Sequence, residues 1–274
     1  MIKVSFRGFM NMYTAFQLAK KYAHYYLTAS NGKGHGVHSP FVFDFIINVL
    51  NDKKNYACYI AIEKRRTALK KDTTAIEVED FGAGSAVIRS NKRVVKDIAA
   101  SSLKPKKFAQ LLFRIAQYYK PATILELGTS FGITTAYLAG AGATVYTCEG
   151  ASSIAVIAKQ TFAQLQLQNI QLAEGDFEKT LPVLLKQINT IDLAFIDGNH
   201  KKEPTLEYFE QLLRHCKRSS ILIFDDIHWS KEMEAAWAAI KAHSSVTLTI
   251  DLFFIGLVFL RPDFKVKQHF AIRF

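Results

Sequence analysis

Hydrophobic positions change period along this 274-residue chain, and the changes mark its elements. From Tyr13 to Leu27 apolar residues recur at helical spacing (Phe16, Leu18, Ala19, Tyr22, Ala23, Tyr26), which predicts a helix. Asn31-Gly-Lys-Gly-His-Gly36 breaks it. Ser39-Pro40 then offers an N-cap residue and a proline at the first helical position, opening a helix from Phe41 to Leu50. A third helix is predicted from about Tyr56 to Leu69. Residues 71–103 read as a connector, in which Ile76 to Phe81 alternates weakly and Asp80-Phe-Gly-Ala-Gly-Ser85 is a turn cluster. No strong strand precedes Gly82-Ala-Gly84 and a basic stretch follows it. The cluster therefore reads as a lid over a ligand or as a plain linker rather than as a phosphate loop.

From Lys104 onward helix and strand alternate. Phe108 to Tyr119 is predicted helical, and short apolar runs predict strands at 122–127, 143–148, 169–173, 191–196 and 220–224. Helical segments lie between them at about 131–140, 151–166, 177–188, 203–216 and 230–243. Such alternation argues for a parallel sheet with crossover helices. In the tail, Val246–Ile250 and Leu252–Leu260 leave no room for a helix between them, so they must pair antiparallel. The predicted fold class is α/β: five parallel strands closed by an antiparallel pair and flanked by helices. Residues 1–103 form a helical extension and connector, and residues 104–274 the sheet domain.

Candidate chemistry lies at the carboxyl ends of the strands, where open α/β sheets bind ligands. The first strand runs into Ile124-Leu-Glu-Leu-Gly-Thr-Ser-Phe-Gly132, a buried strand, a glycine turn and a helix start. Together these make a nucleotide-type cradle. The spacing is E-x-G-x-x-x-G, not the dinucleotide G-x-G-x-x-G. Gly128 and Gly132 let the backbone approach a ligand, with Thr129 and Ser130 between them. The second strand ends at Glu149-Gly150, where a carboxylate can accept both ribose hydroxyls; the alternative is an acid at the start of the next helix. The third ends at Asp176-Phe177, where Asp176 can cap the helix that follows. The fourth and fifth end in Asp197-Gly-Asn-His200 and Asp225-Asp-Ile-His228.

Composition narrows the setting. Apolar residues make up 49% of the chain, which suits a globular protein with a large core. Cys58, Cys148 and Cys216 are scattered, so neither a disulfide framework nor a zinc spacing is present and a reducing cytoplasm is expected. The longest apolar run, Leu252 to Leu260, falls far short of the roughly 20 residues needed to span a bilayer. No signal-peptide pattern follows Met1, and Met10 and Met12 stand as alternative starts. Charge is uneven. Residues 1–120 carry 21 Lys/Arg against 8 Asp/Glu, a net of +13, and residues 121–274 carry 14 against 16, a net of −2. A basic front half either solvates helix faces or attracts nucleic acid, anionic lipid or an anionic small molecule. The H-x-x-H of His35 and His38 has no acid or cysteine at ligand spacing.

The E-x-G-x-x-x-G turn after Ile124–Leu127 resembles motif I of class I S-adenosylmethionine (SAM) methyltransferases. The Asp197 and Asp225-Asp226 strand ends, with Trp229 three residues beyond, resemble the catechol and caffeoyl-CoA O-methyltransferases. The resemblance covers about residues 104 to 260. It implies a Rossmann-like sheet and SAM as cofactor. Gly128, Thr129, Ser130 and Gly132 would wrap the methionine part, with Glu126 orienting its ammonium. Glu149 and Gly150 would lie at the ribose, Asp176 and Phe177 along the adenine, and Asp197 at the edge of the cofactor site. It also implies a divalent-cation site at Asp197, Asp225 and Asp226, suited as three carboxylates to Mg²⁺ or another hard cation. The chain departs from the pattern twice. Asp226 replaces an asparagine, and His200 stands where a lysine is usual. Without a metal, His200 or His228 would be the general base, beside Asp197 and Asp225. The expected reaction is in-line transfer of the SAM methyl group to a hydroxyl oxygen of a small molecule. An RNA or protein methyltransferase docking through the basic front block, and a non-catalytic SAM-binding protein, stay open as alternatives. The first hundred residues lie outside the resemblance; in related enzymes such extensions cover the acceptor or build a homodimer contact.

Overall fold

A computed structural model describes residues 12–80 and 89–274. Most of the turn cluster of residues 80–85, and the alternative starts Met1 and Met10, lie outside the described residues. The chain divides into two compact units, residues 47–193 and residues up to 46 together with 194–274.

In the unit of residues 47–193, helix α3 (Ala57–Leu69) leads into an antiparallel pair, β1 (Ala75–Asp80) and β2 (Arg89–Val94), and then α4 (Val95–Ser102). Neither β2 nor α4 was legible: β2 reads Arg-Ser-Asn-Lys-Arg-Val, with no apolar alternation. Helix α5 (Lys106–Tyr119) buries Leu112, Phe113 and Ala116 and ends at Lys120 in a left-handed conformation. Strand β3 (Thr123–Leu127) pairs parallel with β4 (Thr144–Glu149), and β4 with β5 (Ile170–Glu174). Helices α6 (Ile133–Ala139), α7 (Ser152–Gln164) and α8 (Phe177–Gln187) follow these strands in turn. Strand β6 (Ile191–Ile196) begins in this unit, beside β3. β3 is a nearly continuous apolar run because a parallel strand is covered on both faces. One core joins Tyr59, Ile62 and Leu69 of α3, Val95 and Ile98 of α4, and Phe113, Phe131, Ile133 and Tyr137.

In the other unit, helix α1 (Ala15–Thr28) opens with a capping box between Thr14 and Gln17. Helix α2 (Pro40–Phe45) has Ser39 at its N-cap position without a side-chain hydrogen bond, and the chain continues through a π-helical turn, Ile46–Leu50. Strand β6 ends here beside β7 (Cys216–Asp225), with α9 (Lys202–Leu213) between them in sequence. After α10 (Lys231–Ala242), strands β8 (Leu248–Asp251) and β9 (Ile255–Phe259) pair antiparallel as expected, and β9 also pairs antiparallel with β7. A further strand, β10 (Gln268–Ala271), pairs parallel with β8. Its alternating half-buried and exposed positions suit an edge strand, and its four residues are too few to show a period. Two backbone bridges, Met12 to Ser230 and Ser30 to Ile272, hold the start of the chain to this unit.

The arrangement is the expected α/β Rossmann-like sheet, mostly parallel with antiparallel C-terminal strands and N-terminal helices. Its strand ends carry nearly all the candidate residues. All three cysteines are free thiols, and burial pushes that of Cys148 up to about 11. No described helix is long and apolar enough to cross a membrane.

Candidate active site

After β3 the chain turns through Gly128 (φ 101°), Ser130 (φ 49°) and Gly132 (φ 77°) before α6 begins. Left-handed backbone favours glycine at two of these positions. At Gly132 packing adds a second constraint, because a Cβ there would lie 2.4 Å from the Phe162 ring. The N–H groups of Gly128 and Thr129 both donate to the Cys148 carbonyl at 3.1 Å, tying the turn to β4. Thr129 is buried, and its hydroxyl meets that of Thr147 at 2.6 Å.

Glu126 is 0% exposed. Its Oε2 accepts the Thr135 hydroxyl at 2.5 Å and the Thr147 hydroxyl at 2.7 Å. A buried carboxylate needs such donors, and here they clamp the end of β3 to α6 and β4. The resemblance assigns Glu126 to the cofactor's ammonium, whereas its carboxylate is enclosed beneath the turn. Thr135 and Thr147 were not singled out from the sequence. The signal available was two hydroxyls on the elements that flank a buried acid.

Glu149 ends β4. Its Oε2 accepts the Ser130 N–H at 2.8 Å and its Oε1 the Ala151 N–H at 3.1 Å. Burial pushes its carboxyl pKa up, against the pull of backbone N–H groups at Ala151, Ser130 and Gly150. A carboxylate has about four lone-pair sites, so these bonds leave room for further donors. Gly150 is half-buried beside it. At the end of β5, Gly175 donates to the Glu149 carbonyl at 2.8 Å. Asp176 accepts the Glu178 N–H at 3.1 Å as the N-cap of α8. Asp176 therefore caps α8 through one carboxylate oxygen. Phe177 follows it, half-buried. Ser102 of α4, not anticipated, touches this group through its hydroxyl, 3.0 Å from that of Ser130.

The other unit carries the acids. Asp197 follows β6 and Asp225 ends β7. With His200 they converge: one potential ligand atom from each lies within 4.8 Å of the others. Asp197 Oδ1 is 3.6 Å from His200 Nε2, and Asp225 is fully buried. Asn199 (φ 68°) and His200 (φ 35°) both hold left-handed backbone, uncommon for residues with a side chain. The Asn199 amide donates to the Tyr208 hydroxyl at 2.8 Å, fixing this turn to α9.

The group that converges holds Asp197, His200 and Asp225, and Asp226 of the expected three aspartates is not among its members. Its backbone turns left-handed (φ 53°), its N–H donates to the Phe254 carbonyl at 2.7 Å, and its carbonyl accepts the Trp229 N–H at 2.9 Å. His228 is also outside the cluster. Its Nδ1 lies 3.1 Å from Glu234 Oε1 and its Nε2 2.8 Å from Asp251 Oδ2, and its ring stacks on Phe253. Burial works to lower its pKa, but the hydrogen bonds and charges of Asp251 and Glu234 outweigh that, and the net shift is upward. Both ring nitrogens of His228 are thus engaged by carboxylates, apart from the group of Asp197, His200 and Asp225. Glu234 also accepts from Tyr13 at 2.5 Å and Lys21 at 2.9 Å. His35 and His38 join no group of potential metal ligands among the described residues.

Comparison with known proteins places this geometry. Residues 125–227 match a family described as a methyltransferase domain. A catechol O-methyltransferase from Niastella koreensis is 30% identical over 145 residues, 50% of this chain and 63% of that protein. An uncharacterized RNA methyltransferase from Protochlamydia amoebophila is 36% identical over 78 residues, 28% of this chain and 18% of that protein. The chain thus spans less than two thirds of either curated relative. The O-methyltransferase from Bacillus cereus in complex with S-adenosylhomocysteine (SAH) shares the fold at TM-score 0.52 and 19% identity, covering 80% of this chain and 97% of that one. A protein assigned as a caffeoyl-CoA O-methyltransferase from Staphylococcus aureus shares it at 0.52 and 16%, covering 60% and 88%. Residues 125–227 thus match a methyltransferase domain, the chain shares the fold of these SAM-dependent enzymes, and it resembles the catechol and caffeoyl-CoA O-methyltransferases.

Proposed function

We propose that this chain transfers a methyl group from SAM to a hydroxyl oxygen of a small molecule. The convergence of Asp197, His200 and Asp225 carries this reading, because a hydroxyl acceptor needs a group to take its proton. The turn from Gly128 to Gly132 would hold the methionine part of SAM, Glu149 the ribose hydroxyls, and Asp176 with Phe177 the adenine edge and face. Glu126 acts beneath the turn by bracing it. In the transfer, the acceptor oxygen forms a bond to the methyl carbon as the carbon–sulfur bond breaks. The sulfur keeps the electron pair, leaving SAH, and the hydroxyl proton passes to His200 Nε2. The protein's share of the chemistry is orientation and this proton.

Two carboxylates and an imidazole also fit a divalent cation, which when bound would lower the acceptor's pKa and orient it. The imidazole moves the preference from Mg²⁺ toward Mn²⁺ or a later transition metal. His200 Nε2 cannot serve as ligand and base at once. The residues before Lys104 are proposed to shape the acceptor side or an oligomer contact. A nucleic-acid acceptor is the competing reading, favoured by the net +13 of residues 1–120 and by the RNA methyltransferase match. That match reaches only 18% of the relative, which suits a shared cofactor module rather than a shared acceptor.

The test is calorimetric titration of SAH into the full chain, with and without Mg²⁺ and Mn²⁺, followed by a screen of catechols and other hydroxylated small molecules. Micromolar SAH binding and methyl transfer to a hydroxyl are expected. No SAH binding under any condition would overturn the reading and leave a scaffold that kept the fold. SAH binding with steeply salt-dependent RNA binding would favour the nucleic-acid acceptor.

A further inference from the structure

Helix α1 is apolar on two faces, and only one of them is packed. Leu18, Tyr22 and Tyr25 lie on Phe253 and Phe254, and the Tyr25 hydroxyl donates to the Ile272 carbonyl. The opposite face carries Phe16, Ala23 and Leu27, with Ala19 and Tyr26 along one edge and Lys20 along the other. Phe16 is 80% exposed and Leu27 77%. Large apolar side chains exposed together on one face mark an interaction surface, so the outer face of α1 calls for an occupant.

Charge selects it. Residues 1–43 contain Lys3, Arg7, Lys20, Lys21 and Lys33 and no Asp or Glu. Lys21 is committed to Glu234, whereas Lys20 flanks the exposed apolar stripe. The Arg273 guanidinium lies 5.0 Å from the centre of the Tyr26 ring, which adds a cation at the opposite edge. A second copy of a chain with net charge +11 would bring like charges together, so self-association through this face is opposed. An apolar stripe edged by cations is the surface that lies in a headgroup boundary over anionic lipid.

We propose that α1 docks this chain peripherally on an anionic membrane surface. Phe16, Ala23 and Leu27 enter the headgroup boundary, and Lys20 and Arg273 face lipid phosphates. The long stem of Lys20 lets its ammonium reach the phosphates while its methylenes lie on the apolar stripe.

The test is co-sedimentation of the full chain with phosphatidylcholine vesicles, with and without phosphatidylglycerol. Binding is expected only to the anionic vesicles and should weaken as salt rises. The double variant Phe16→Ser/Leu27→Ser should partition at least about tenfold less, since two large apolar side chains no longer leave water. As a readout that tolerates a misfolded double variant, Phe16→Trp should show an emission blue shift with anionic vesicles that the parent chain lacks. No binding to anionic vesicles overturns the proposal. So does binding that the double variant retains in full, which would be charge alone. A dimer seen by analytical ultracentrifugation that the double variant dissociates would assign the face to a second copy instead.

Discussion

The Glu149 carboxylate accepts the backbone N–H of Ser130 at 2.8 Å, joining the end of β4 to the glycine turn after β3. The acid proposed to read the ribose thereby also sets the shape of the turn proposed to wrap the methionine. Glu149→Gln removes an acceptor and places an amide donor against one of two N–H donors, Ser130 or Ala151. SAH affinity should fall roughly 10- to 100-fold, the loss expected for a charge-assisted hydrogen bond of about 1.5–3 kcal/mol. The pKa of this carboxyl is raised by burial, so SAH binding should weaken on acidification at a higher pH than an ordinary glutamate would give. Calorimetric titration across pH checks both. Unchanged affinity for Glu149→Gln would take Glu149 out of the cofactor site.

At Gly132 the obstacle to a side chain is a specific ring. A Cβ would sit 2.4 Å from Phe162 in backbone at φ 77°. Gly132→Ala should destabilise the fold by about 1–3 kcal/mol through overpacking, with left-handed strain added. Phe162→Leu in the Gly132→Ala background should recover part of that loss, although Phe162→Leu alone removes core contacts. A urea-denaturation double-mutant cycle reads the coupling. Strict additivity would show that the ring is not what excludes the side chain.

His228, Glu234, Asp251, Lys21 and Tyr13 form a network with a signed pH dependence. The pKa of His228 is raised above its ordinary 6.5. Its contribution to stability is therefore full below 6.5 and is lost as pH rises through the folded value. The pKa of Glu234 is lowered from 4.5 despite burial, by hydrogen bonds from Tyr13, Lys21 and His228. Its contribution is full above 4.5 and is lost as pH falls through the folded value. The two windows overlap between 4.5 and 6.5. His228→Ala should cost about 1–3 kcal/mol there, since it leaves two carboxylates facing without their shared donor. The difference from the parent should shrink at alkaline pH. A difference that grows instead would mean that His228 is held neutral.

Much of this was legible in the chain, for reasons that differ by element. Strands β3 and β6 are short apolar runs buried at nearly every position, and the helices around them alternate at 3.6 residues, so both periods show in sequence. Strand β2 (Arg89–Val94) is polar and strand β10 (Gln268–Ala271) is only four residues long, so neither shows an apolar period. At the acids, sequence order placed Asp225 and Asp226 together, and it is Asp225 that groups with Asp197 and His200, whereas Asp226 holds left-handed backbone. The partners of His228 come from α10 and β8, 6 and 23 residues away, and no local pattern connects them. Positions fixed by a strand end and its turn could be read, and pairings between distant segments could not.

His200 faces two roles that separate experimentally. Its Nε2 lies 3.6 Å from Asp197 Oδ1, and Asp225 completes the group. As the base, it takes the acceptor's proton, and Asp197 stabilises the imidazolium that results. His200→Ala should then lower kcat about 10²- to 10⁴-fold, the usual weight of a positioned proton acceptor, with SAH affinity unchanged. Added imidazole should restore part of the rate, because the cavity left by the side chain can hold a free base. As a ligand, the same substitution would weaken Mn²⁺ binding, read directly from the free-ion signal in electron paramagnetic resonance, and imidazole would restore that binding together with rate. Asp225→Asn should weaken Mn²⁺ binding in the ligand case. In the base case it should leave the imidazole rescue of His200→Ala intact. Retention of full kcat by His200→Ala, with or without metal, would remove the histidine from the chemistry and return the proton to Asp197 or to water.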